Sequence, residues 1–461
     1  MDSLPENDYN EKAFHKTFIL FCKEYCVGKA MKLANAYKSR GVPVMSIFLY
    51  LLQLVFTKKS MYMNIMTGSH AGNFKKDTVY RFLSAQFVNW GTFLLSVAMN
   101  VIKNICKLTS DDRINAIIAD DSLFSRMRSK KVELLANVHD HTGKGQKFKR
   151  GFRMLTLCWT DGVTLIPMMF RHLSSENKKS RYNEINPKID KRSCGYKARL
   201  QAISKAPDVL IQFLSMAAKA GVPAKHVLFD SWFSFPSTII RIYELGFKVV
   251  ARLKSIRTIQ YLVGDRKMTL AEIYAANKKR RGKSKYLLSV NVVLCNEDKI
   301  VEARIVFVRD RNNTKKWIAL ISTDMELTEE EIIALYGKRW SIEVFFKICK
   351  SYLRLGAEFQ QLSYDAITAH TTVVFVRYMV LAVEKRQGED MRSMGELFFL
   401  YYDEIPDIQF AEVIEIIIEM LRDILNDLLF LTDAQIDAIM DRFVSKLPSY
   451  LCSKMIAKNT A

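Results

Sequence analysis

Asn115-Ala-Ile-Ile-Ala-Asp-Asp121 is a short apolar run that ends in two carboxylates. A run of this length and composition suits a buried central strand. Downstream, Phe152 to Trp159 and Val163 to Phe170 read as strands, and Asp161-Gly162 between them is a strong hairpin signal. A polar, basic loop from Leu173 to Arg192 precedes an amphipathic helix predicted from about Ala198 to Ala220. Strand His226 to Asp230, a helix near Pro236 to Leu245 and strand Phe247 to Leu253 follow. The order β, β-hairpin, α, β, α, β predicts a mixed sheet with helices on its faces, an α/β (α+β) fold.

Working outward, residues 14–107 show apolar residues at three- and four-residue spacing and read as helices. Gly68-Ser-His-Ala-Gly72 breaks that pattern before a short helix at Asp77 to Leu83, which carries Tyr80 and Arg81. A small DNA-binding helical module is the functional expectation for residues 1–110. The α/β core is expected over 111–255 and 327–385. Between its two parts, 256–326 reads as a β-rich insertion with strands Tyr286 to Leu294, Val301 to Val308 and Trp317 to Ser322. Thr328-Glu-Glu-Glu331 is a capping-box pattern that starts the next helix. Residues 386–461 form an acidic helical region. Within it Ala411 to Leu431 has an apolar stripe, read either as core packing or as a dimerisation face.

The 461-residue chain carries a formal net charge of +21. Residues 387–461 hold 14 acidic and 6 basic residues, so the first 386 carry +29. A polyanionic partner is therefore expected at the first five-sixths of the chain. Lys144 to Arg150, Lys178 to Arg192 and Lys279 to Lys285 are basic runs suited to tracking phosphates. Eight scattered cysteines include no CxxC pair, which fits reduced thiols in a cytosolic protein rather than a zinc site. His139-Asp-His141 lacks further ligands nearby and reads as an ordinary loop. The acidic Met1 to Lys12 is not a signal peptide, and Val44 to Phe56 is too short to span a bilayer. A soluble intracellular protein is expected.

The stretch richest in chemistry is Tyr336-Gly-Lys-Arg-Trp-Ser-Ile-Glu-Val-Phe-Phe-Lys-Ile-Cys-Lys350. On a continuous helix Tyr336, Arg339, Glu343 and Lys350 share an arc of roughly 60°. Val344, Phe345 and Ile348 lie opposite and are expected to pack inward. A carboxylate between two cations suits a phosphodiester site, where the acid binds a metal and the bases grip phosphate. An i,i+4 pair such as Arg339 and Glu343 also occurs as mere decoration of a solvated helix. Asp120 and Asp230 tip the balance, because each terminates a run read as a buried strand, where a carboxylate is costly unless paired or metal-bound. Three acidic side chains suit Mg²⁺, with Mn²⁺ as a substitute, and two such ions assist in-line displacement at phosphorus.

The spacing Tyr-x2-Arg-x3-Glu-x6-Lys at Tyr336, Arg339, Glu343 and Lys350 resembles the signature of bacterial insertion-sequence DDE transposases of the IS-four type. Asp120-Asp-Ser122 resembles their first motif and Phe229-Asp-Ser-Trp-Phe233 their second. The likeness runs from about Asp111 to Gly356. It implies an RNase H-like core with Asp120, Asp230 and Glu343 as catalytic and metal-binding residues. It also implies phosphate contacts by Tyr336, Arg339 and Lys350, and a base-stacking role for Trp317, whose alternative is a strand-core tryptophan. Asp120 and Asp121 point to opposite faces of a strand, so only one enters the site, and the motif favours Asp120. Trp340 sits beside the arc and fits either a stacking or a packing role. Arg252 and Lys254, at the end of a strand, are further DNA-binding candidates.

The resulting expectation is cut-and-paste transposition: metal-dependent cleavage of double-stranded DNA at terminal inverted repeats, then strand transfer into target DNA. A homodimer on the DNA, a cytoplasmic, nucleoid-associated location and no membrane role complete it. An RNase H-like nuclease without strand transfer, or a DNA-binding derivative without catalysis, is the alternative.

Overall fold

A computed structural model describes residues 17–57, 60–66, 74–109, 113–140, 148–280, 284–296, 298–310, 313, 316–359 and 361–387, with 435, 438, 439 and 442. The expected break at Gly68–Gly72, the loop 141–147 with His141, and helix 411–431 lie outside the described residues.

The N-terminal part is helical as expected, and includes α1 (Val27–Leu33), α2 (Val44–Leu54), α3 (Met61–Met66), α4 (Lys76–Leu83) and α5 (Trp90–Lys107). The helix α5 is capped by Asn89, whose side chain accepts from the Thr92 amide, and buries a stripe from Trp90 to Ile105. Strands β1 (Ala116–Ser125), β2 (Ala136–His139), β3 (Phe148–Thr160) and β4 (Leu165–Leu173) follow. Then come α6 (Cys194–Ala202), α7 (Ala206–Lys219), β5 (His226–Phe229), α8 (Pro236–Glu244) and β6 (Lys248–Arg252). The expected single helix over 198–220 is thus two. Pro207, which has no amide to donate, sits in the first turn of α7 and cannot lie inside a longer helix.

Strands β4, β3, β1, β5 and β6 are neighbours in that order. Strands β1, β5 and β6 run parallel, while β3 is antiparallel to both β1 and β4. This mixed sheet between helices is consistent with an RNase H-like α+β fold. The β3–β4 hairpin turns at Gly162, with φ +91°, where glycine carries no Cβ penalty. Asp161 holds the turn by accepting from the Val163 and Thr164 amides at 2.9 and 2.7 Å.

The sheet does not end at β6. Strands β7 (Tyr261–Val263), β8 (Arg266–Met268), β9 (Leu288–Asn296), β10 (Lys299–Arg309) and β11 (Trp317–Ser322) extend it, with α9 (Leu270–Ala276) between β8 and β9. The join is the antiparallel pairing of β11 with β6, giving one sheet of eleven strands. Helices α10 (Glu329–Gly337), α11 (Ser341–Ser351) and α12 (Tyr364–Gln387) follow. Thr328 starts α10 through the expected capping box with Glu331.

Helix α12 is the longest among the described residues, and its apolar span 364–386 is long enough to cross a membrane, yet its most apolar stretch is wholly buried inside the protein. It packs on α2, α4, α5 and β4 as a core helix. Arg377, fully buried at its centre, donates from Nε to the Leu52 carbonyl at 3.0 Å and pairs with Glu358 at 3.0 Å. It thereby ties the N-terminal helices to the chain leaving α11. Arg199 of α6 does similar work between Glu133 (2.6 Å) and Asp365 (2.7 Å), also fully buried.

Candidate active site where β5 and β6 end beside β1

Backbone register brings the first two acids together. Ala119 of β1 is the partner of Phe229 in β5, so the next residues, Asp120 and Asp230, lie side by side on adjacent parallel strands. Neighbouring strands are about 5 Å apart. The carboxyl ends of parallel strands are where open α/β sheets gather ligands. Phe229 in turn pairs with Ala251, which sets Arg252 beside Asp230.

The third acid arrives from the other direction. Arg339 donates to Asp120 Oδ2 at 2.8 Å and to Glu343 Oε1 at 2.6 Å, bridging strand β1 to helix α11. Lys350 Nζ reaches Ser122 Oγ at 2.6 Å, one side-chain step along the same face of β1. Tyr336 lies under the Arg339 guanidinium, 5.8 Å from its ring centre. All four residues of the Tyr-Arg-Glu-Lys pattern therefore face the Asp120 side of the sheet. The stretch is not one regular helix, however: a 3₁₀ turn at Lys338–Trp340 joins α10 to α11. Across that turn the simple angular arithmetic no longer holds, and the arc is preserved by contacts instead. Phe345 and Ile348 are buried as expected, whereas Val344 is 45% exposed.

Asp121 points the opposite way and pairs with Arg153 of β3. The two neighbours thus have different partners, and it is Asp120 that meets Arg339. Burial pushes the Asp120 carboxyl up to about 7. Arg339 pulls against that shift, while Asp230 and Glu343 add to it. Arg339 itself, which burial would depress, is pushed up by Asp120, Tyr336 and Glu343. Burial raises the Tyr336 phenol, with Arg339 and Arg252 opposing and Asp230 reinforcing. These mutual effects place Asp120, Asp230, Glu343, Tyr336, Arg339 and Arg252 in one electrostatic neighbourhood.

The donors are hard oxygens of the kind Mg²⁺ accepts, and a buried carboxyl pushed up by two like charges is one that a cation would relieve. In this geometry Arg339 supplies the positive charge between Asp120 and Glu343. Among the described residues no three His, Cys, Asp or Glu side chains close around a point that would hold an ion. The residues fit a divalent metal in chemistry, with the arginine bridge in place of the closed set.

Of the remaining candidates, Lys254 places its ammonium 5.2 Å from the Trp232 ring centre, just beyond Asp230. Trp317 stacks on Tyr274 at 5.1 Å and meets Phe307 edge-on at 5.0 Å, within the insertion. Trp340 is 62% exposed beside the arc. Asp140, directly after β2, pairs with Lys149 at 2.5 Å. Two residues near the site had no role from sequence, Arg153 and Trp232. Arg153 needs the β1–β3 register to be found at all. Trp232 stood in plain view two positions after Asp230, but an exposed aromatic has no spacing signal.

Two family models match the chain. One, described as a DDE superfamily endonuclease, covers residues 40–269, and the other, a transposase DDE domain, covers residues 194–376. Asp120 and Asp230 fall within the first, and Asp230 and Glu343 within the second. No curated protein matches the chain. The two matches support a DDE transposase, a nuclease-type enzyme whose family implies a DNA substrate.

Proposed function

We propose that the protein is a metal-dependent DNA transposase of the IS-four type that cleaves double-stranded DNA at the terminal inverted repeats of a mobile element and transfers the freed ends into target DNA. The observation that carries the reading is the convergence of Asp120, Asp230 and Glu343: strand register sets Asp230 beside Asp120, and Arg339 bridges Asp120 to Glu343 on the helix.

Asp120, Asp230 and Glu343 would hold Mg²⁺, or Mn²⁺ in its place. When bound, such ions polarise a phosphoryl oxygen and acidify the attacking hydroxyl or water. The remaining work belongs to the chain. Arg339 presents a planar fork that matches a phosphate as well as a carboxylate, so it can exchange its carboxylate partners for a DNA phosphate. Lys350 adds a second cation on the same side, and the Tyr336 hydroxyl adds a hydrogen-bond donor. Arg252 and Lys254 hold phosphate at the opposite edge. Trp317 serves as a base-stacking surface only if Tyr274 yields its face. The helices of residues 1–110 recognise the repeat, 386–461 joins two copies into a dimer on the paired ends, and the protein acts in the cytoplasm on nucleoid DNA.

The test is incubation of the purified protein with Mg²⁺ and a duplex carrying the inverted repeats that flank its own gene. Cleavage at the repeat ends, followed by joined products with target DNA, is expected. Cleavage without joined products would favour a nuclease, and binding without cleavage under Mg²⁺ or Mn²⁺ would favour a non-catalytic derivative.

A further inference from the structure

Side chains alternate across a strand, so β1 divides its two aspartates between the faces of the sheet. Asp120 meets Arg339, while Asp121 meets Arg153. Around Arg153 lies a second cluster, built from three separate elements. Trp232, in the turn after β5, donates its backbone amide to Asp230 Oδ1 at 2.9 Å, which fixes the turn to the candidate catalytic carboxylate. Trp232 is 36% exposed. The Arg153 guanidinium lies 4.5 Å from the ring centre and the Lys254 ammonium 5.2 Å from it.

Two cations drawn to one ring repel each other, and Asp121 neutralises only one of them. Attraction to the indole offsets part of that cost. An arrangement of this kind leaves positive charge beside the ring that an anion would satisfy. Arg153 also feels the charges of Asp230 and Asp120, so the cluster borders the carboxylates rather than a remote surface.

We propose that Arg153 and Lys254, oriented by Trp232, form a second phosphate grip that holds the DNA backbone on the side of the carboxylates opposite Arg339 and Lys350. This rests on the reading of DNA as substrate. A strand crossing the carboxylates then has cations on both flanks of the scissile phosphate, and Trp232 is a positioning residue that touches no reacting atom.

The experiment is equilibrium binding of a short fluorescein-labelled duplex of mixed sequence, in EDTA, across a salt series. Log affinity falls with log salt by about 0.9 for each phosphate neutralised. Lys254→Ala and Arg153→Gln should each lower that slope by about 1. Trp232→Ala removes no charge, yet should lower the slope by about 1 to 2, because both cations lose their aim. Trp232→Phe, which keeps an aromatic face, should restore most of it. Circular dichroism and thermal midpoints of the same variants establish that each is folded. Superimposable slopes for wild type, Lys254→Ala and Trp232→Ala would overturn the proposal. So would a Trp232→Ala affinity loss at unchanged slope, which would make the indole a base contact instead. No chemistry occurs in EDTA, so the two readings fail separately: altered slopes in a protein that never cleaves would sink only the transposase reading. Unaltered slopes in a protein that cleaves would sink only the grip.

Discussion

Replacing Asp120 by asparagine should change how stability depends on pH, in a direction the site's geometry dictates. In the folded protein the Asp120 carboxyl titrates near 7, against an ordinary value of 3.8, chiefly because it is buried. A folded pKa above the unfolded one means that the native state holds the proton more tightly. The associated stability is fully present below about pH 4 and is lost as pH rises toward 7. About three pH units separate the two values, and each is worth about 1.4 kcal/mol, so the full penalty approaches about 4 kcal/mol. An asparagine amide does not ionise, so the variant escapes it. Urea unfolding in the presence of a chelator, run on both proteins, isolates the site because titrations remote from it cancel in the difference. From about pH 5 to about pH 8 the advantage of Asp120→Asn over wild type should grow by about 3 kcal/mol. Parallel stability curves over that range would refute the argument, since they would mean that Asp120 titrates like an exposed carboxylate.

Three further outcomes follow from named contacts. Arg339→Lys replaces a fork that bridges Asp120 and Glu343 with a single point charge. Single-turnover cleavage should fall by about 10²-fold, while duplex affinity stays within about threefold. Arg377→Met leaves His370 as the buried partner of Glu358 and strips the cation from the Leu52 carbonyl. It should cost about 3–5 kcal/mol in denaturant unfolding and expose α2 to early hydrogen exchange. Gly195→Ala would drive a Cβ into Asp365 Oδ1, the buried partner of Arg199, and set it 2.9 Å from the Gln86 carbonyl and 3.0 Å from Arg199 Nη1. A loss of about 1–3 kcal/mol in the same assay is expected.

Much of the sheet was readable because its strands are short apolar runs with clear punctuation. Strand β11 begins at Trp317 and ends at Ser322, as the alternating pattern has it, and Thr328 caps α10 as its spacing requires. Local signals failed where tertiary geometry decides. Nothing local reveals that β11 pairs with β6, which makes the β-rich segment a continuation of the core sheet. The split at Pro207 was written in the sequence but outweighed by helical periodicity on both sides. Strands β7 and β8 are three residues each, too short for any pattern to accumulate. At the site, the acids and the Tyr-Arg-Glu-Lys spacing stand out in the chain. Which aspartate faces Glu343 depends on alternation along β1, and only the contacts of Arg339 and Arg153 reveal it. The arginine bridge itself, and the approach of Arg153 to Trp232, join residues hundreds and dozens of positions apart and leave no trace in spacing.

Asp120, Asp230 and Glu343 are proposed to act as one catalytic set, an assignment that excludes Asp121. Mg²⁺-dependent cleavage of the repeat-bearing duplex by Asp120→Asn, Asp230→Asn, Glu343→Gln and Asp121→Asn, side by side, tests that assignment. The first three should each lose at least about 10²-fold in rate, and Asp121→Asn should stay within about tenfold of wild type, a difference of about 1.4 kcal/mol in barrier. A fully active Asp230→Asn or Glu343→Gln, or an inactive Asp121→Asn beside an active Asp120→Asn, would contradict it.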